Sequence, residues 1–326
     1  VRGDSARAGR QWMSAGATPP EIVERQLHDT SLEQDPRINA LVALIYQRHG
    51  AAVQAVLLYG SYVRGKRDTV LDFYALLDSY RGTFPHRWHG WANRLLPPNV
   101  YHVQTQSEGR PVLAKYATVR LDCFEAALSG HFHPYFWARF AQPCVLVYSR
   151  NAAVSARVTA AMVTATKTFI ARTLPMLPAE FAVQDLWRTG FSLTYRCELR
   201  AEKPGYALAL YDAYSTYLGE LTAALAAQGA LRARPLSGSS YQSSLSVTER
   251  FRSRFAWTLR RWQGKPLSVA RLAKAAATFN DPVEYVLWKI ERHSGVRAEA
   301  TERQRRHPLI FGWGLLWRIY RSGGFR

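Results

Sequence analysis

The sequence predicts an α+β fold, in which a mixed sheet flanked by helices is followed by an all-α domain. Apolar runs of strand length alternate with turn-forming residues between positions 53 and 148. From residue 152 onward, apolar side chains instead recur about every 3.6 residues, which is typical of helices. A basic amphipathic segment closes the chain. The predicted units are therefore residues 19–150, 151–300 and 301–326.

The composition predicts a folded protein with an anionic partner. The chain has 326 residues, of which 48% are hydrophobic, so it can bury a substantial core. Its formal net charge of +19 implies nucleic acid, an anionic membrane surface or a phosphorylated substrate. The three cysteines form neither a disulfide framework nor a zinc pattern, which suits a reducing compartment.

The first predicted unit contains the sheet. Its strands are recognised by β-branched and apolar runs, and its helices by apolar residues at helical spacing. In chain order we expect a helix over residues 19–49, strands over 53–59 and 70–77, an aromatic-rich loop over 81–99, a third strand over 112–123, a helix over 124–140 interrupted near 130–134, and a strand over 143–148.

The second predicted unit is helical throughout, apart from one connecting segment. Residues 229–246 are rich in Ser, Gly and Arg, which favours a linker or mobile loop. The helices are expected over residues 152–174, 180–201, 206–227, 246–262 and 267–277.

The most informative stretch joins the first two strands. An apolar run ends at Gly60-Ser61, and a second apolar run begins ten residues later with Asp72 in it. A glycine lets backbone N–H groups approach a phosphate, and the Ser61 hydroxyl adds a donor. A carboxylate on the next strand can hold the divalent metal of a nucleotide. This pattern is typical of a nucleotidyltransferase-like site, although a β-hairpin with Gly60 in its turn has the same local sequence.

Seven segments of the chain extend this pattern. They are Tyr59-Gly60-Ser61, Leu71-Asp72-Phe73, Trp88-His89 with Asn99 to His102, Lys115-Tyr116, Arg139 with Pro143, Leu177 to Leu186, and Leu193 to Arg200. Through these segments, over about residues 53–202, the chain resembles the mitochondrial phosphatidate cytidylyltransferases and their bacterial relatives. Each segment is weak by itself, and the order of the seven carries the resemblance.

The resemblance implies an enzyme that joins CTP and phosphatidic acid, with Mg²⁺ or another divalent cation, to give CDP-diacylglycerol and pyrophosphate. It also implies a peripheral position on the inner face of a bacterial membrane, or on the matrix side in mitochondria. Three residues depart from the family pattern. Tyr62 replaces a glycine and could crowd a triphosphate, Gln142 replaces a lysine, and Glu198 replaces an aspartate.

Three carboxylates are the candidate catalytic acids. Asp72 is the first expected metal ligand, and Tyr74 occupies the place where a second acid usually follows. Glu198 is the second expected metal ligand, and its alternative role is a solvated neighbour of Arg196 and Arg200. Asp122 is the third candidate because it is expected on the third strand, and its alternative role is a helix N-cap.

The candidate residues for binding CTP are mostly cations, aromatic rings and the glycine turn. Cationic side chains are expected to neutralise the charge that develops on pyrophosphate. His102 is a weaker candidate for a phosphate, and surface charge or simple packing is the alternative for each residue. The set is Tyr59, Gly60, Ser61, His89, Lys115, Arg139, Tyr195 and Arg200.

The last 26 residues predict attachment to an anionic membrane surface. Six arginines and one glutamate surround the apolar segment Leu309 to Trp317, which is too short to span a bilayer. A packed C-terminal helix is the alternative. Two other functions also remain open: transfer of another nucleotide or to another acceptor, and a degenerate module that only binds nucleic acid or membrane. The sequence has no recognisable nucleic-acid-binding motif, so we do not expect nucleic acid as the partner.

Overall fold

The structure is a computed structural model that describes residues 16–67, 69–80, 96–198, 205–278 and 299–306, with isolated positions 314, 317, 318 and 321. These residues form a mixed α+β fold around a five-stranded mixed sheet. The coarse fold class predicted from the sequence is therefore confirmed.

Three helices precede the sheet where one was predicted. They are α1 (Pro19–Leu27), α2 (Thr30–Glu33) and α3 (Pro36–His49). The breaks follow from local chemistry, because Asp29 and Asp35 accept hydrogen bonds from backbone N–H groups at the starts of α2 and α3.

The five-stranded sheet has the order β3-β4-β2-β1-β5. Strands β2 and β4 are parallel, and the other neighbours are antiparallel. The predicted third strand ends at residue 120 rather than 123. The strand β3 was not predicted, because all of its residues after Asn99 fall between the predicted loop and the predicted third strand. The strands are β1 (Val53–Tyr59), β2 (Leu71–Leu77), β3 (Asn99–Ser107), β4 (Arg110–Arg120) and β5 (Val145–Ser149).

Both faces of this sheet are covered by helices. One face packs Val56, Phe73 and Tyr116 against apolar residues of α2 and α3. The opposite face carries Tyr74 and Leu76, which join the larger apolar cluster with the later helices. Because alternate residues of a strand point to opposite faces, Asp72 lies on this second face with Tyr74.

The helices after β4 agree with most of the predicted ranges. The interruption predicted near 130–134 separates α4 from α5, and the predicted helix over 206–227 is broken into two. Gly190 allows close packing of α6 against α7, since a Cβ there would lie 2.3 Å from the Phe169 ring. The helices are α4 (Leu121–Gly130), α5 (Trp137–Phe140), α6 (Ala152–Thr173), α7 (Val183–Tyr195), α8 (Tyr206–Asp212) and α9 (Ser215–Ala227).

A second, three-stranded sheet contradicts the prediction of an all-α second unit. Its strands β6 (Glu180–Ala182), β7 (Ala233–Pro235) and β8 (Ser240–Ser243) are antiparallel in the order β6-β8-β7. The predicted linker over 229–246 is therefore a hairpin, and the helix predicted from 180 begins three residues later. The rings of Phe181 and Tyr241 stack with 6.0 Å between their centroids. These two residues are far apart in the sequence, and they stabilise strands that are too short to be recognised from a sequence pattern.

One long helix, α10 (Val247–Thr278), replaces the two predicted around Pro266. Buried Trp257 and Gly264 pack its inner side against the rest of the protein. The last described helix is α11 (Glu302–Arg306). Most of the predicted membrane segment, Leu309 to Trp317, lies outside the described residues.

The predicted boundary near residue 150 falls between β5 and α6, but a single apolar cluster crosses it. That cluster includes Leu57 and Tyr74 from the sheet together with Phe169, Trp187 and Trp257 from the later helices. None of the helices within the described ranges combines the length and apolarity needed to cross a membrane.

Candidate active site

A row of polar side chains crosses one end of the main sheet. Asp72 on β2 pairs in register with Tyr59 on β1 and with Lys115 on β4, and Lys115 pairs with His102 on β3. Residues in register on neighbouring strands point to the same face. The sheet therefore brings three of the predicted site residues together, with His102 beside them.

The Gly60 turn packs directly on the Asp72 carboxylate. Gly60 has a φ of +89°, and a Cβ at this position would lie 2.9 Å from Asp72 Oδ2. Only glycine combines this backbone conformation with so close an approach. Ser61 follows in the turn, with its Oγ 3.1 Å from Thr69 Oγ1. The turn and the carboxylate thus form one local structure, within the antiparallel connection from β1 to β2 that the hairpin alternative also predicts.

Asp72 forms an ion pair with Lys115, whose Nζ lies 2.9 Å from Asp72 Oδ1. The side chain of Asp72 is only 18% exposed. Among the described residues, its buried Oδ1 accepts no well-directed hydrogen bond, so Lys115 satisfies its charge but not its hydrogen-bonding capacity. The carboxylate consequently retains an oxygen that can accept a further ligand.

Tyr74, in the place of the usual second acid, positions an arginine. Arg139 on α5 donates a hydrogen bond from Nη1 to the Tyr74 hydroxyl at 2.8 Å. The guanidinium also lies over the ring of Tyr135, at 4.4 Å from its centroid, and over that of Tyr59, at 5.5 Å. Burial raises the pKa of Tyr74 well above its usual range, so its hydroxyl stays protonated.

Arg139 connects the sheet to the second predicted acid. Its Nη2 lies 3.9 Å from Glu198 Oε2, and both side chains are more than four-fifths buried. Glu198 follows the end of α7, where its backbone N–H donates to Tyr195 O at 3.1 Å. Because Arg139 also contacts the ring of Tyr59, the next residue to Gly60, Glu198 belongs to the same cluster as Asp72.

The protonation of Tyr59 reflects this charge arrangement. Burial, and then the neighbouring Asp72 carboxylate, raise the pKa of Tyr59 to about 12. The nearby charges of Arg139 and Lys115 act in the opposite direction. At neutral pH the Tyr59 hydroxyl is therefore an uncharged hydrogen-bond donor at the edge of the cluster.

Helix α10 contributes two cations that were not predicted from the sequence. Arg271 lies over the ring of Tyr135 at 3.9 Å, and Lys274 donates to Pro98 O at 2.7 Å. Burial lowers the pKa of Lys274 to about 7, with the charge of Arg271 as a second cause. Nothing in the local sequence marks these residues, since only the folded chain brings α10 to the cluster.

A second group of cations was not predicted, although it can be seen in the sequence. The turn after Ser61 contains Arg64, Lys66 and Arg67, three cations within seven residues of Gly60. Arg64 Nη2 donates to Tyr206 OH at 3.2 Å, which ties the turn to α8. A polyphosphate held at Gly60 would meet these cations, and their position after a Gly-Ser turn was the available signal.

Asp122 does not lie on the third strand, where the sequence predicted it. This residue lies in the first turn of α4, where it pairs with Arg120, and its side chain is 54% exposed. It follows the C-terminal end of β4, whereas Asp72 is the second residue of the parallel strand β2 and its partner Lys115 lies midway along β4. The alternative role at the start of a helix is closer to what the structure shows, because an acid in the first turn stabilises the helix dipole.

The remaining predicted residues are placed as follows. Tyr195 packs edge-on against Tyr206, with 5.3 Å between ring centroids. His89 and Arg200 lie outside the described residues. Tyr62, expected to crowd a triphosphate, is buried on the other face of the sheet and donates to Asp35. The turn beside Asp72 is therefore free of its ring.

The donor set fits a magnesium ion held jointly with a nucleotide. Within the described ranges, no three His, Cys, Asp or Glu side chains lie together as a protein cage for a metal. Mg²⁺ commonly uses one or two carboxylates together with substrate phosphates. The buried, incompletely satisfied Oδ1 of Asp72 matches that arrangement, and Glu198 is the second oxygen donor of the cluster.

A scan of protein-family models and a search of curated proteins both found no match to this chain.

Proposed function

We propose that this chain is a nucleotidyltransferase of the phosphatidate cytidylyltransferase type, acting on CTP and phosphatidic acid at a membrane surface. The observation that carries the proposal is the Gly60 turn packed on the Asp72 carboxylate, with Lys115 and Arg139 beside it. A glycine turn, an acid and two cations at one sheet end are the parts that binding a nucleoside triphosphate requires.

The reaction needs a phosphate oxygen of the acceptor to attack the α-phosphorus of CTP. A new P–O bond forms, the bond to the β-phosphate breaks, and pyrophosphate leaves with the electron pair. The cations of the cluster would neutralise that charge, with Arg139 held in place by Tyr74. The turn from Gly60 would hold the phosphates through backbone N–H groups and the Ser61 hydroxyl.

The metal has a limited part in this proposal. Asp72 and Glu198 are the residues that would hold Mg²⁺, which when bound supplies charge neutralisation and orientation for the phosphates. Lys115 now neutralises Asp72, so a bound metal and Lys115 would compete for the same carboxylate. In that case Lys115 would be released toward a phosphate.

The deciding experiment compares Asp72 on β2 with Asp122 in the first turn of α4. CTP, Mg²⁺ and phosphatidic acid in mixed micelles should yield CDP-diacylglycerol, detected by mass spectrometry. Asp72→Ala should lower the rate by at least about a hundredfold, as expected for loss of an electrostatic group at the reacting phosphates. Asp122→Ala, at the other end of β4, should leave the rate unchanged. No product from the unmodified protein, or equal effects of both variants, would refute the proposal.

A second candidate is a phosphate-binding module without turnover. It is favoured by one observation, the ion pair that already neutralises the single carboxylate of the sheet. A thermal-shift series with CTP, ATP, GTP and UTP separates the candidates, because a bound nucleotide raises stability as its concentration exceeds Kd. A shift with CTP but no product supports the module, and a shift with another nucleotide alone replaces CTP as the substrate.

A further inference from the structure

The outer side of α10 carries an apolar stripe that faces away from the protein. Its members are separated by 4, 4, 4, 3 and 7 residues, so they share one side of the helix, along about 33 Å of its length. Their exposed fractions range from 44% to 84%. We call them the outer stripe: Val247, Phe251, Phe255, Leu259, Trp262 and Val269.

The opposite side of the same helix packs against the body of the protein. Trp257 is fully buried and donates from Nε1 to Arg172 O at 3.0 Å. Gly264 lies so close to the end of α7 that a Cβ there would be 1.9 Å from Cys197 O. The helix is thus fixed on its inner side, and the outer stripe is not needed to hold it.

The charged side chains of α10 are almost all positive. Helix α10 contains eight arginines and lysines and one acid, Glu249, which is paired with Arg232. Arg252, Arg254 and Lys265 are exposed beside the stripe. Large exposed apolar patches mark interaction sites, and cationic borders select an anionic partner.

We propose that the outer stripe is a docking surface for an anionic phospholipid membrane, with α10 lying in the plane of the interface. Phenylalanine, leucine and tryptophan side chains would enter the acyl boundary, and the bordering cations would bind headgroup phosphates. A second copy of this chain fits poorly, because stripe-to-stripe contact would bring two sets of like charges together. Nucleic acid fits poorly as well, since six large apolar side chains would face its phosphates.

Docking would also orient the candidate active site. Arg271 and Lys274, on the inner side of α10, contact the cluster through Tyr135 and the segment before β3. They would lie about 10 Å, one helix diameter, from the lipid surface. This consequence rests on the proposed function, whereas membrane binding itself does not.

Vesicle flotation of the full chain tests the proposal. The probes are phosphatidylcholine vesicles with and without a minor share of phosphatidylglycerol, an anionic lipid that is not the proposed substrate. We expect binding only to the anionic vesicles and about tenfold weaker binding for the double variant Phe251→Ser and Trp262→Ser. Arg252→Gln and Arg254→Gln should each weaken binding about fivefold. Tyr46→Ser, an exposed aromatic on α3, is the matched control and should bind normally.

Trp262→Phe gives an independent readout, because it keeps an apolar ring and removes one fluorophore. Quenching of tryptophan emission by brominated anionic lipid should fall in this variant, while its vesicle binding is retained. The proposal is overturned if the unmodified protein does not bind, if the double serine variant binds as well as it does, or if quenching is unchanged. It is also overturned if that variant melts at a lower temperature or dissociates a dimer, since the stripe would then be covered by protein.

Discussion

At the scale of single residues, Gly60 is the position on which the candidate site depends most directly. Alanine there would meet two penalties: a positive φ, which costs about 1–2 kcal/mol for an L-residue, and a Cβ 2.9 Å from Asp72 Oδ2. Gly65 separates these effects, because its φ is +83° and a Cβ there meets nothing within 4 Å. The two glycines form a natural matched pair.

We therefore expect both Gly60→Ala and Gly65→Ala to lose about 1–2 kcal/mol of stability in urea unfolding from the positive φ, and Gly60→Ala to lose more because its Cβ displaces the Asp72 carboxylate. Only Gly60→Ala should also lose cytidylyl transfer, by about a hundredfold, because a displaced carboxylate no longer meets the phosphates. Equal activity of the two variants would show that the contact between Gly60 and Asp72 has no functional role.

A substitution at Tyr74 tests whether this residue, which occupies the place of the usual second acid, contributes to the reaction by positioning Arg139. Tyr74→Phe removes the acceptor of the 2.8 Å hydrogen bond from Arg139 and keeps the packed ring. Leaving a buried guanidinium donor unsatisfied costs about 1–3 kcal/mol. We expect kcat/KM for CTP to fall about tenfold, which corresponds to about 1.4 kcal/mol. Tyr101→Phe, which removes a hydroxyl on the other face of the sheet, is the control and should leave kcat/KM unchanged.

At the scale of elements, long periodic segments were predicted well and short ones were not. The strands at residues 53–59 and 71–77 and the helix at 152–173 agree with the sequence pattern, because their apolar residues follow one period throughout. The strands β6, β7 and β8 have three or four residues each, so their pairing depends on Tyr241 and Phe181 meeting in space. No local pattern contains that information.

The candidate site also has one part that could be predicted from the sequence and another that could not. Gly60, Ser61 and Asp72 lie within thirteen residues, and their chemistry could be inferred from order and spacing alone. Arg271 reaches Tyr135 only through the packing of α10, so its place depends on the whole fold. The error at Asp122 came from extending a strand past Arg120, where the chain turns into α4.

The contact between α10 and the end of α7 predicts that replacing a helical glycine by alanine destabilises the protein, which is opposite to the usual effect. Alanine normally stabilises a helix by about 1 kcal/mol relative to glycine. At Gly264, however, a Cβ would lie 1.9 Å from Cys197 O and 2.7 Å from His133 Nε2. We expect Gly264→Ala to destabilise the protein by about 1–3 kcal/mol, as overpacking does.

Gly130→Ala is the matched control for this substitution. Gly130 is the last residue of α4, and a Cβ there meets nothing within 4 Å. Its replacement should be neutral or stabilising in the same urea titration. A stabilised Gly264→Ala variant would mean that α10 does not pack on the backbone at Cys197.

At the scale of the whole molecule, the two predicted domains share one apolar interior. Leu57 and Tyr74 from the sheet contribute to the same cluster as Phe169 and Trp187 from the helices. The boundary predicted near residue 150 therefore marks a change of secondary structure within a shared core. Because the candidate site also draws Asp72 from one part and Glu198 from the other, its geometry depends on this shared packing.

Acid should weaken that packing through His133, which is buried between the sheet-side helices and α10. Burial, and next the charge of Arg271, lower the pKa of His133 to about 4 from its ordinary value of 6.5. The unfolded chain thus takes up a proton near pH 6.5, and the folded protein does so only near pH 4. Stability is therefore lost as the pH falls through this window, by about 2 kcal/mol between pH 7 and pH 5.

Urea unfolding at pH 7 and pH 5 measures this loss, and His133→Asn assigns it. Asparagine can still accept the hydrogen bond that Tyr135 N donates to His133 Nδ1 at 3.2 Å, but it does not titrate. The unmodified protein should lose about 2 kcal/mol more than the variant over this range. Lys274 does not obscure the result, because its pKa of about 7 places its own effect on stability above pH 7. Equal losses in both proteins would show that His133 is already accessible to protons in the folded state.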